Sequence, residues 1–147
     1  MGTSGLTLTL VRHAHADWPN YTGRDFDRPL TPHGLLAARD AAREIRAHIE
    51  PPTLLLASPA VRTRQTAEII AEALAVPATA VRYIDTLYNA SVDTLDFEFR
   101  RHCSAGCTGV LLVGHNPGIS AFARLLAGDQ LPAPFLPAQW QVFKVLR

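Results

Sequence analysis

The chain has 147 residues, of which 48% are hydrophobic and 18% charged, and its formal net charge is +1. That length and apolar content predict one domain, residues 1–147, with a core that needs no staples. The near-neutral balance argues against nucleic acid or a membrane surface as partner, and no apolar run approaches the roughly 18 residues of a membrane span.

The first apolar run, Leu6 to Val11, reads as a buried strand that gives out into Arg12-His13-Ala14. Pro32 to Ile49 has helical period, with Leu35, Ala38, Ala42, Ile45 and Ile49 three or four apart on one face. A second strand covers Thr53 to Ala57, and a second helix covers Ala60 to Leu74 on Ala67, Ile70, Ala71 and Leu74. Ala78 to Ile84 reads as the third strand and Ser91 to His102 as the third helix. Val110 to Val113 and Pro117 to Leu126 supply the fourth of each. Ala127 to Pro137, with its three prolines, reads as an extended loop. The last strand, Gln139 to Leu146, alternates its side chains and puts Trp140 in a core position. Strands alternating with helices predict a three-layer α/β/α sandwich on a mostly parallel sheet.

Three helix starts share one device. Thr31-Pro32, Ser58-Pro59 and Asn116-Pro117 each place a capping side chain before a proline. Two of these junctions follow strands directly, where free backbone N–H groups at the positive end of a helix favour an anion. Cys103 and Cys107 lie four apart beside His102, without a second pair at metal spacing, and are expected to be free thiols in a reducing compartment. The first five residues have neither the basic start nor the apolar stretch of a signal peptide. Leu6 also stands where a myristoylation site requires Ser or Thr. A cytoplasmic location is the expectation.

Basic groups recur at strand ends. The first strand offers Arg12 and His13, the second Ser58-Pro59-Ala60-Val61-Arg62, and the fourth Gly114-His115-Asn116-Pro117-Gly118. Ligand sites of α/β sheets lie at the carboxyl ends of strands. If these strands are parallel neighbours, Arg12, His13, Arg62 and His115 converge on one edge. Guanidinium groups grip phosphate oxygens bidentately, and an imidazole with one free ring nitrogen is a nucleophile. A lone exposed Arg or His usually does nothing; three strand ends of the same kind are harder to dismiss.

Five stretches carry a resemblance to a known family. They are Leu-Val-Arg-His-Ala-His-Ala-Asp-Trp at 10–18, Asp-Arg-Pro-Leu-Thr-Pro-His-Gly at 27–34, Ser-Pro-Ala-Val-Arg-Thr-Arg-Gln-Thr-Ala-Glu at 58–68, Leu-Tyr-Asn-Ala-Ser at 87–91 and Leu-Leu-Val-Gly-His-Asn-Pro-Gly at 111–118. In order and spacing the sequence resembles the histidine phosphatase superfamily, and within it the short SixA-like phosphohistidine phosphatases.

The resemblance implies the phosphoglycerate mutase-like fold and a metal-independent, cofactor-free phosphatase. His13 would carry the phosphoryl group as a phosphohistidine, while Arg12, Arg62 and His115 bind its oxygens. It also implies a general acid after the third strand, where this chain has Asp85 in place of the Glu usual in SixA-like sequences. Read from the residues alone, Asp85 is as well explained as a capping carboxylate. A phosphoramidate relaxes the need for that acid, because its leaving imidazole nitrogen can be protonated before cleavage. Asp17, Trp18 and Arg28 are expected at the pocket rim in structural roles. His15 and His33 are expected to face solvent, His48 to lie on a helix surface, and Asn116 to cap the fourth helix.

With no long insertion to fold over the pocket, the expected substrate is phosphohistidine on a protein surface, with a phosphorelay domain as the named case. A small phosphorylated metabolite, cleaved as a phosphate monoester, is the alternative. A non-catalytic module that binds phosphoproteins is the second, although a binder would need only the arginines.

Overall fold

The structure, a computed structural model, describes residues 5–128 and 134–146. The expectations for the first four residues and for the middle of the proline-rich loop therefore lie outside the described residues.

One five-stranded sheet organises the chain. Its strands are β1 (Gly5–Arg12), β2 (Leu54–Ala57), β3 (Val81–Tyr83), β4 (Gly109–Gly114) and β5 (Trp140–Leu146), in the order β3-β2-β4-β1-β5. Every pairing is parallel except β1 with β5. The helices are α1 (Pro32–His48), α2 (Val61–Ala73), α3 (Val92–His102) and α4 (Gly118–Ala127).

Alternation along the central strands explains why these runs are apolar throughout. Leu8, Leu10, Leu56, Val110 and Leu112 bury against Phe99 of α3 and Phe122 of α4. Val11, Leu55, Leu111 and Val113 turn the other way, against Ile45 of α1 and Ile70 of α2. Both faces of the parallel strands are covered, as parallel sheets require. A buried leucine of this kind contributes roughly 1.5–3 kcal/mol relative to exposure.

Register fixes where the site falls. Arg12 pairs with Gly114, and Val113 pairs with both Val11 and Ala57, so β1, β4 and β2 end together. His13, Ser58 and His115 are thus the first residues beyond three adjacent strands. The His13 N–H donates to the Gly114 carbonyl at 3.1 Å, extending the ladder one step past β1.

Helix starts divide sharply. Thr31 caps α1, its hydroxyl accepting from the Gly34 N–H at 3.0 Å, with Pro32 as the first helical residue. The other two starts correct the sequence reading. Helix α2 begins at Val61 behind Ala60, and α4 begins at Gly118 behind Pro117, neither with a side-chain cap. Asn116 instead donates to the Phe135 carbonyl at 2.9 Å and accepts from the Ser120 hydroxyl. Its tertiary partners outcompete the local cap.

Three smaller corrections follow. Residues 78–80 form a 3-10 turn, which shortens the third strand to Val81–Tyr83. Trp140 is half-buried, because β5 is the edge strand; its indole N–H reaches Glu44 of α1 at 3.3 Å. Cys103 and Cys107 are joined in a disulfide, not free. Cys103 ends α3 and the chain turns back before β4, which brings the two Cα atoms to 5.4 Å, within disulfide reach. Cysteine usage therefore no longer argues for a reducing compartment. Among the described residues no helix is long and apolar enough to cross a membrane.

Candidate active site

At the shared carboxyl edge, His13 follows β1 and is buried to 8% exposure. Its Nδ1 lies 2.7 Å from the carbonyl oxygen of Ala14. A carbonyl only accepts, so Nδ1 must carry the ring proton and Nε2 keeps a free lone pair. Two further bonds hold this turn still. The Ala14 N–H donates to the Thr66 hydroxyl at 3.1 Å, and that hydroxyl donates to the Arg62 carbonyl at 2.8 Å.

His115 follows β4 and is buried beside it, with ring centroids 5.4 Å apart in an edge-on arrangement. Its Nε2 lies 2.8 Å from the Ser58 hydroxyl, and its Nδ1 is buried without a partner among the described residues. Burial pulls both imidazoles well below the ordinary histidine value of 6.5. The charges of Arg62, Arg12 and Arg28 add to the shift at His13, which falls to about 4 although its bond to Ala14 opposes this. At His115 the charge of Arg62 is the next cause after burial, and the value falls to about 3. Both rings are neutral at pH 7.

Two arginines complete the cluster. Arg12 is the last residue of β1, and its Nη1 donates to the Phe135 carbonyl at 2.9 Å. Burial lowers its pKa, opposed by Asp17. Arg62 is in the first turn of α2 and its side chain is only 4% exposed. Among the described residues, the Nε atoms of Arg12 and Arg62 are, with His115 Nδ1, buried polar atoms lacking a hydrogen-bond partner. Buried donors are normally satisfied. A phosphoryl group, with three acceptor oxygens, matches that set of donors.

The structure brings Arg12, His13, Arg62 and His115 together. Asp85 is exposed at the start of a 3-10 turn, Asp85–Leu87, and is not hydrogen-bonded or ion-paired to any of the four. The carboxylate that does enter the cluster is Asp25, which sequence reasoning missed. It lies on the 3-10 turn Asp25–Asp27 and accepts from Arg62, Arg28 and Tyr88. Those donors, the Tyr88 hydroxyl first, hold its carboxyl far below the usual range. Tyr88 itself stacks edge-on against His115, with centroids 5.5 Å apart.

Nothing in the spacing of Asp25 marks it, since it lies 37 residues from Arg62 in sequence. Tyr88 stands inside the quoted Leu-Tyr-Asn-Ala-Ser stretch, so a signal for it was present. Arg28, expected at the rim, is held to Asp25 at 2.8 Å and to the Ala16 carbonyl. His15, expected to face solvent, is half-buried, its Nδ1 2.8 Å from the Thr31 hydroxyl. Among the described residues no group of three His, Cys, Asp or Glu side chains is arranged to hold a metal ion.

Two neutral imidazoles, one buried and one half-buried guanidinium group and unpartnered polar atoms at one sheet edge define a phosphoryl-handling α/β protein. The model of the histidine phosphatase superfamily (branch 1) matches residues 8–89, and the chain belongs to that superfamily. It is 37% identical over 117 residues to an uncharacterised protein of Mycobacterium tuberculosis, covering 80% of this chain and 70% of that one. Among solved structures it is similar to one from Agrobacterium tumefaciens assigned as a SixA phosphohistidine phosphatase, at 32% identity and a TM-score of 0.83, covering 93% and 90% of the two chains. One from Nakamurella multipartitia with the same assignment is also 32% identical, with a TM-score of 0.75 over 98% and 94%. The fold is the phosphoglycerate mutase-like histidine phosphatase fold, and the protein is a phosphatase, a hydrolase acting on phosphorylated substrates.

Proposed function

We propose that the protein removes phosphate from phosphohistidine displayed on another protein, through a covalent phosphohistidine at His13. The observation that carries this reading is the His13–Ala14 hydrogen bond, which leaves Nε2 unprotonated and available at neutral pH. Nε2 attacks phosphorus and the bond to the substrate's imidazole nitrogen breaks, that nitrogen leaving with a proton. Water then attacks the phosphorylated His13, the Nε2–P bond breaks and inorganic phosphate departs. Arg12, Arg62 and His115 hold the three non-bridging oxygens through both steps, and such positioning and charge supply most of the barrier reduction in phosphoryl transfer. No metal enters this reading, because the guanidinium groups supply the positive charge.

Asp85 is the proton donor we propose for a substrate with an oxygen leaving group, which needs one more than an imidazole does. The SixA assignment of the two 32%-identical structures supports phosphohistidine as substrate.

The test is a panel of phosphohistidine protein, phosphoramidate and phosphate monoesters, run with wild type and His13→Ala. Wild type should turn over the first fastest and trap an acid-labile radiolabel that His13→Ala does not form. Faster turnover of small monoesters would shift the substrate class. Binding of phosphoprotein without any release of phosphate would make the protein a recognition module.

A further inference from the structure

We propose that Asp25 is a positioning residue for the phosphate site, one that turns Arg62 so that its Nε edge receives the phosphoryl oxygens. The proposal rests on the reading of Arg62 as a phosphate ligand. It starts from how the Arg62 guanidinium is used. Nη1 donates to the Asp25 carbonyl oxygen at 2.7 Å, and Nη2 to the Asp25 carboxylate at 2.9 Å. One N–H of each terminal nitrogen, the end-on edge of the fork, is therefore taken by one residue. The nitrogen with no bond at all is Nε, which is buried and unpartnered among the described residues. A guanidinium offers its donors in a fixed plane, so holding one edge sets the direction of the other.

Asp25 is itself held firmly enough to do this. The Tyr88 hydroxyl donates to the same carboxylate oxygen that Arg62 uses, at 2.6 Å, and Arg28 donates to the other at 2.8 Å. Arg28 in turn reaches the Ala16 carbonyl, and Phe26 beside Asp25 packs edge-on against Tyr88 with centroids 5.2 Å apart. One carboxylate thus ties together the segment after β1, the first turn of α2 and the segment after β3. Its single charge faces two guanidinium groups, Arg62 and Arg28, so the site stays positive, and Arg12 has no carboxylate in hydrogen-bond contact among the described residues.

The rival role gives the opposite sign. If Asp25 merely occupied Arg62 until phosphate displaced it, removing the carboxylate would free Arg62 and tighten oxyanion binding. If Asp25 positions Arg62, removing it weakens binding.

Orthovanadate is the probe, titrated by calorimetry into wild type, Asp25→Ala, Asp25→Asn and Tyr88→Phe, each also tested in an Arg62→Lys background. Asp25→Ala should bind on the order of 10-fold more weakly, as loss of a ligand-orienting partner typically does. Asp25→Asn, which keeps an acceptor oxygen and the carbonyl, should recover part of that loss, and Tyr88→Phe should show a smaller loss of the same sign. In the Arg62→Lys background the Asp25→Ala effect should largely vanish, because groups acting through one another are not additive. A melting curve for each variant separates this from general loosening, and if Asp25→Ala does not fold, the Asn and Tyr88 variants carry the test. Equal or tighter binding by Asp25→Ala, or a loss that is fully additive with Arg62→Lys, overturns the proposal. Wild type that binds vanadate but turns over no substrate sinks the catalytic reading alone. Wild type that does not bind vanadate overturns both.

Discussion

The Ser58 hydroxyl lies 2.8 Å from Nε2 of His115, and that contact joins the ends of β2 and β4. Ser58 also accepts from the Ala60 N–H at 3.3 Å, and its own proton is free to go to His115. If Nε2 accepts it, the ring proton of His115 is on Nδ1, the buried nitrogen without a partner among the described residues.

Ser58→Ala should therefore lower kcat on the order of 10-fold, less than loss of His115 itself, because the ring remains but its tautomer is no longer imposed. Removing a direct donor, as in His115→Ala, should cost on the order of 100-fold or more. Steady-state kinetics on phosphoramidate checks both. A Ser58→Ala rate equal to wild type would mean that the hydroxyl does not select the tautomer.

Low pH should act on rate and stability with one sign. His13 takes up a proton only near pH 4, against an ordinary 6.5, so the acidic limb of kcat/KM should fall near 4. For stability, the unfolded chain binds protons at both histidines near pH 6.5, while the folded chain binds them only near 4 at His13 and 3 at His115. Their contribution is complete above pH 6.5 and is lost as pH falls from there toward 3. His115→Gln should flatten part of that loss in denaturant titrations across this range. An acidic limb at pH 6.5 would show that burial does not protect the nucleophile.

Asp85 separates substrates. Asp85→Asn should leave phosphoramidate hydrolysis within about twofold of wild type, because a nitrogen leaving group takes its proton without a fixed donor. A phosphate monoester should slow on the order of 100-fold, within the usual range for general acids. Equal effects on both would deny Asp85 a proton-donor role.

Gly118 tests the close packing beneath the site. A Cβ there would fall on the Ala90 carbonyl oxygen, a backbone atom that cannot swing aside. Gly118→Ala should destabilise by about 1–3 kcal/mol, the usual cost of overpacking. That is a drop in Tm of roughly 2–4 °C per kcal/mol at this size. A melting curve indistinguishable from wild type would mean that α4 shifts freely against the segment before α3.

Much of the fold was legible because its signals are local. The apolar runs at Leu6–Val11 and Val110–Val113, and the period of Leu35, Ala38, Ala42 and Ile45, depend only on which faces must leave water. Thr31 caps α1 from within its own turn. Asn116 and Ser58 looked identical in sequence, yet each bonds a group that only the folded chain brings near, the Phe135 carbonyl and the His115 ring.

By itself, then, the sequence determined the alternation of strands and helices and placed Arg12, His13, Arg62 and His115 at strand or helix ends, since residue type and spacing suffice for both. Only the tertiary structure decided that β1, β4 and β2 end together and that Asp25 holds Arg62. It likewise decided that Ala14 directs the proton of His13 to Nδ1. The reason is physical. Register and burial set which donors meet, and burial among like charges sets the protonation of both imidazoles. These are sums over neighbours as far apart in sequence as Ser58 and His115, separated by 57 residues, which no local pattern records.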